Sequence, residues 1–144
     1  MNDALYAKGY LVVTHYPGVF TNETSATTTT AGLNEAIADA YTNNLAVYFP
    51  PGTNLVHDTL KAHTAAGLPT NAPGYTSATP RNHIAIVGAT TGSRRPVIKL
   101  ATNATGFGNT GTPKVLLEFK NFDVTNVAVE ADGSGYNQML RGVD

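Results

Sequence analysis

Apolar residues fall into two rhythms along this chain of 144 residues. Over 31–41 they recur at Leu33, Ala36, Ile37 and Ala40, the i, i+3, i+4, i+7 spacing that lays one stripe along one face of an α-helix. Glu35 and Asp39 fall on the flanks of that stripe. The pattern predicts about three turns, capped by a threonine of the 27–30 tract and stopped near Asn43 and Asn44. Elsewhere the apolar residues come in short runs rich in Val, Ile, Leu and Phe. These predict strands over 10–14, 46–49, 54–57, 83–87, 97–100, 115–119 and 126–130. Pro and Gly stand between the runs from residue 46 onward and not within them. A single helical pattern among many short strands argues against a doubly wound α/β fold.

Two of the runs look like copies of one unit. His83-Ile-Ala-Ile-Val-Gly88 matches Asn126-Val-Ala-Val-Glu-Ala131, each reading polar, apolar, Ala, apolar. Their separation corresponds to two turns of a stacked architecture at about 21 residues per turn, within the range of solenoid repeats. In such a stack each inward apolar residue rests on its equivalent one turn away, and a continuous core results. Two long segments carry no strand pattern. The stretch 61–82 contains Gly67, Pro69, Pro73, Gly74 and Pro80, and 102–113 contains Gly106, Gly108 and Gly111 around Phe107. The first is too long for an ordinary connection and reads as functional or mobile; in a stacked solenoid both would wall a groove.

Composition narrows the picture. The length is that of one domain. Charged residues make up 13% of the chain, about half the ~25% of ordinary globular proteins, with Thr, Asn, Gly and Ala in their place. The net charge is −1, and no basic stripe is present to neutralise phosphates, so nucleic acid is not an expected partner. No run approaches the ~18 apolar residues of a membrane span. Cysteine is absent, which excludes a disulfide framework and thiolate metal sites.

The stretch Ala46-Val-Tyr-Phe-Pro-Pro-Gly-Thr-Asn-Leu-Val-His-Asp-Thr-Leu60 follows the helical pattern directly. Helix, strand, Pro-Pro-Gly corner and strand together resemble the opening of the pectate-lyase-like superfamily. Val87-Gly-Ala-Thr-Thr-Gly-Ser-Arg-Arg-Pro-Val-Ile98 is a second point of resemblance: a strand, a glycine, a short loop and an apolar strand. The resemblance covers about residues 28–131. Thr28, Thr29 and Thr30 stand where the family often carries aspartates, so no role is carried over to them.

The resemblance implies a mainly β fold: a right-handed parallel β-helix, or solenoid, with one N-terminal capping α-helix. Residues 28–45 would form the cap and 46–131 the first coils of a single domain over 1–144. Gln138 to Asp144 show no capping pattern, so the expectation is an N-terminal portion of a longer β-helix, or a last coil packed on another chain in a homo-oligomer. The implied function is a secreted or extracellular carbohydrate-active module that binds or cleaves a polysaccharide, as a glycoside hydrolase or a polysaccharide lyase. The alternative is a non-catalytic structural or adhesive solenoid, such as part of a phage tailspike or surface fibre on a virion.

Few residues carry candidate chemistry. Arg94 and Arg95 suit a sugar carboxylate through the guanidinium fork, and Tyr75, in the first long segment, suits stacking on a sugar ring. Gly88 and Gly92 suit a tight corner with positive φ. A glycosidase needs two carboxyl groups about 5–9.5 Å apart across the scissile bond. Glu130 and Asp132, two apart at a strand end, are the candidate catalytic acids. No cofactor is expected for a hydrolase. A lyase would use calcium, held by Glu118, Glu130 and Asp132, with Lys99, Lys120 or Arg95 as the base. The four histidines lack zinc spacing, and no Gly-x-Ser-x-Gly elbow exists.

Overall fold

Val47 and Ile86 lie side by side on neighbouring parallel strands, and Leu11 and Val124 continue the row on either side. That row organises the larger of two sheets. The computed structural model describes residues 3–57, 60–61, 84–101, 117–131 and 140–143. Helix α1 (Asp3–Ala7) leads into β1 (Tyr10–Val12) and a 3₁₀ turn (Val13–His15). Helix α2 (Ala26–Asn43) precedes β2 (Ala46–Phe49), β3 (Thr53–Val56) and β4 (Leu60–Lys61). Then come β5 (Ile84–Gly88), β6 (Val97–Leu100), β7 (Leu117–Thr125), β8 (Ala128–Ala131) and β9 (Leu140–Val143).

The first sheet runs β1-β2-β5-β7. Strand β4 shares the β5 edge of the long β7, and β9 takes the other edge. The second sheet is β3-β6-β8. Every pairing is parallel. Side chains alternate as the period of two requires: Val47 and Phe49 are buried, whereas Ala46 and Tyr48 are only partly so.

The expected right-handed parallel β-helix is corrected here. A closed solenoid is not found among the described residues. They form two small parallel sheets with two α-helices, an α/β-like arrangement. Adjacent parallel strands need a crossover of a dozen or more residues, usually a helix. Helix α2 is that crossover between β1 and β2. The sequence pattern had counted one helix against many strands and so missed a strand–helix–strand unit. The supposed repeat fails for a related reason. Ile86 belongs to the first sheet, where it pairs with Val47 and Val124, while Val129 belongs to the second, where it pairs with Ile98. Their similarity reflects the shared demands of half-buried strands. The steps from Val47 to Ile86 and from Ile86 to Val124 are each nearly twice the ~21 residues expected of a repeat.

The stripe of Leu33, Ala36, Ile37 and Ala40 is fully buried, and α2 packs it against β1, β2, β3 and β4. Phe49, Leu60, Ile86 and Ile98 complete the core. The helix begins earlier than its stripe suggests. Its N-cap is Ser25, in the left-handed region with no side-chain cap bond, and not one of the threonines. Thr29 and Thr30 are buried instead. Thr30 Oγ1 donates back to the Ala26 carbonyl at 2.7 Å and accepts the His57 backbone N–H at 2.9 Å. Thr29 Oγ1 accepts the Phe20 N–H at 3.2 Å. The threonine tract therefore rivets the first turns of α2 to the chain around it. The helix stops at Asn44, whose left-handed backbone sends its N–H to the Ala40 carbonyl.

Candidate functional site

Three corners leave the strands on one side of the molecule. The Pro50-Pro51-Gly52 corner joins β2 to β3, with Gly52 at φ 132°. The next, from Ala89 to Pro96, joins β5 to β6 and turns at Gly92, whose φ is 95°. The third, Asn126-Val127, joins β7 to β8. Backbone bonds tie them together: Ala89 N–H donates to the Phe49 carbonyl, and Ala128 N–H to the Pro96 carbonyl, each at 2.9 Å. Asn126 sits at φ 58°, and its side-chain Nδ2 donates to the Ala89 carbonyl at 2.8 Å. Gly88 does not need positive φ, contrary to expectation. It is required because a Cβ there would run into the Asn126 carbonyl oxygen.

Between the second and third corners lies an open depression of about 200 Å³, lined by Thr90, Thr91, Gly92, Arg94, Arg95 and Asn126. Arg94 and Arg95, both exposed, therefore share one site. Arg94 donates to Glu130 Oε1 at 2.8 Å, with side chains 64% and 43% exposed. An ion pair that open to water contributes about 0–1 kcal/mol. Glu130 therefore tethers Arg94 without withdrawing it from solvent. The structure thus brings together three of the sequence candidates: Arg94, Arg95 and Glu130. Tyr75 and Asp132 lie outside the described residues.

No carboxylate lines the depression among the described residues. Of the acids proposed for calcium, only the Glu130 side chain is described, and it carries a guanidinium where a cation would have to sit. The Glu118 side chain and Asp132 lie outside the described residues, and no chemistry is routed through a metal. Lys99, a candidate base, is paired with Glu23 on the same sheet face as Glu130. His57 Nδ1 lies 3.0 Å from Thr30 Oγ1, a structural position beside α2. No described helix is long and apolar enough to cross a membrane.

A second depression, about 370 Å³, escaped the sequence reading. It opens between the N-terminal segment and the outer flank of α2, and is lined by Tyr6, Leu11, His15, Tyr16, Asp39 and Asn43. Tyr16 Oη donates to Asp39 Oδ2. Burial, then the hydrogen bond to Asp39 and the nearby negative charges of Asp39 and Glu35, push the Tyr16 phenol well above the usual tyrosine range. Asp39 was visible as a polar flank of the helical stripe. Nothing in the spacing of Tyr16 and Asp39 signals that the Pro17-Gly18 turn folds one against the other.

Compared with known proteins, the chain matches no family model, no curated protein and no solved structure.

Proposed function

We propose that this protein binds a polysaccharide carrying carboxylate groups, through the corner depression at Arg94 and Arg95. One observation carries the reading: two consecutive exposed arginines border a single depression together with Thr90, Thr91 and Asn126. A guanidinium offers two parallel N–H donors at the spacing of a carboxylate's oxygens. Hydroxyls and an amide beside it match the ring hydroxyls of a uronate. The depression is smaller than the roughly 300–1,000 Å³ of pockets that enclose a small molecule. It suits one residue of a longer polymer lying across the surface. The reading is of binding, because among the described residues the carboxylate beside these groups, Glu130, is held by Arg94.

The test is affinity for polygalacturonate against its fully methyl-esterified form. Binding of the acid form, with loss of at least tenfold affinity in Arg95→Gln and little binding of the ester, is the expected result. Equal retention of both polymers by the native protein and by Arg95→Gln would refute the reading. Following reducing ends and the absorbance of unsaturated products in the same incubations detects hydrolysis or elimination, either of which would displace binding as the activity.

A further inference from the structure

We infer that the depression between the N-terminal segment and α2 is a second binding site, for a small ligand bearing a protonated primary amine. This inference does not depend on the reading of Arg94 and Arg95. At about 370 Å³ the space lies within the roughly 300–1,000 Å³ range of small-molecule sites. What it offers a ligand is mostly acceptors. Tyr16 gives its hydroxyl proton to Asp39, so towards a ligand its oxygen can only accept. That bond takes one of the roughly four acceptor positions of the Asp39 carboxylate. Asn43 Nδ2 gives one of its two N–H groups to the Asp39 backbone carbonyl at 2.9 Å, and its amide oxygen remains an acceptor.

Aromatic faces and charge point the same way. Tyr6, on α1, is 52% exposed, the largest exposure of any large apolar side chain among the described residues. With Tyr16 it flanks the space, and the face of a tyrosine ring attracts a cation within about 6 Å. Glu35, one turn before Asp39 on the same helix, adds to the negative field acting on Tyr16. No Lys or Arg lines the space among the described residues. His15 also lines the space and is its remaining titratable group among the described residues. Leu11, nearly buried, contributes apolar surface for the carbon skeleton of a ligand. An ammonium group, with three donors and one positive charge, satisfies these acceptors as a neutral hydroxyl or an anion does not.

Glucosamine, protonated at neutral pH, and N-acetylglucosamine, its uncharged counterpart, are suitable probes. Titration of the whole chain, followed by amide resonances in NMR, is expected to shift Tyr6, His15, Tyr16 and Asp39 with glucosamine alone. Asp39→Asn keeps an acceptor for Tyr16 but removes the charge, and is expected to weaken binding at least tenfold. Tyr6→Ala removes an exposed ring that the core does not use, and is expected to weaken binding severalfold in a protein with an unchanged spectrum elsewhere. Equal shifts from both sugars, no shifts from glucosamine, or undiminished binding in both variants would overturn the inference.

Discussion

The side-chain amide of Asn126 reaches back to the Ala89 carbonyl at 2.8 Å while its own backbone stands at φ 58°. One residue thus sets the shape of its corner and fastens that corner to its neighbour. Asn tolerates the left-handed region better than other non-glycine residues because its short polar side chain bonds locally. Asn126→Ala is expected to lose about 1–3 kcal/mol, combining backbone strain with an orphaned carbonyl. Asn126→Gly keeps the backbone conformation and loses only the bond, so its cost should be the smaller. Urea unfolding of the two variants separates the contributions, and equal costs would deny the strain.

Gly88 meets the same corner from the other side. Since the obstacle to a Cβ is the Asn126 backbone and not a movable side chain, Gly88→Ala must push two corners apart. A loss of about 1–3 kcal/mol is expected, as for other overpacked sites. Arg94 and Arg95 lie in the displaced corner, so polygalacturonate affinity should fall with stability. A variant as stable as the native protein would show that the corners slide freely.

The row Leu11, Val47, Ile86 and Val124 is the seam of the larger sheet, and Ile86 is wholly buried within it. Ile86→Val is expected to cost about 0.5–1.5 kcal/mol and Ile86→Ala about 2–5 kcal/mol. Denaturant midpoints provide the measurement. A cost for Ile86→Ala below that of Ile86→Val would mean the seam is not packed as described.

How much of this was legible beforehand depends on whether the information is local. The stripe of Leu33 and Ile37 and the stop at Asn44 are properties of consecutive residues, and the pattern located both. The strands at Ala46–Phe49 and Val97–Leu100 were legible for the same reason. Pairing is not local. The sheet membership of Ile86 and Val129 depends on partners far along the chain, and their similar surroundings in sequence suggested a stacking that does not occur. The threonine tract misled because a threonine before a helix is read as a cap, whereas Thr30 is consumed by His57 and Ala26. In the site, adjacent arginines were conspicuous. The partner of Arg94 was foreseen only as a separate acid, and the meeting of Tyr16 with Asp39 was not foreseen at all.

Glu130 competes with any anionic ligand for Arg94. Glu130→Gln removes the competing charge while keeping the shape, and its effect on stability is expected to stay within about 1 kcal/mol because the pair is largely exposed. Polygalacturonate should bind more tightly to this variant, and the gain should shrink as salt is added. Isothermal titration at two ionic strengths checks both statements. Weaker binding by Glu130→Gln would mean that Glu130 positions Arg94 for the ligand and does not restrain it.

Tyr16 makes stability depend on pH in the alkaline range. Its phenol ionises less readily in the folded protein than in the unfolded chain, first because it is partly buried and then because its proton is held by Asp39. An unfolded tyrosine ionises near pH 10. Below that value the proton is bound in both states, and the contribution of the pair is fully present. Above it the unfolded chain releases the proton while the folded protein retains it, so unfolding is favoured progressively as pH rises. The native protein is therefore expected to lose stability from about pH 10 upward more steeply than Tyr16→Phe, which has no proton to retain. Asp39→Asn, with the negative charge removed, should fall between the two. Urea midpoints across that range, with ultraviolet absorbance of tyrosinate to count ionised phenols, give the comparison; parallel curves for the native protein and Tyr16→Phe would show that folding does not hold the phenol proton.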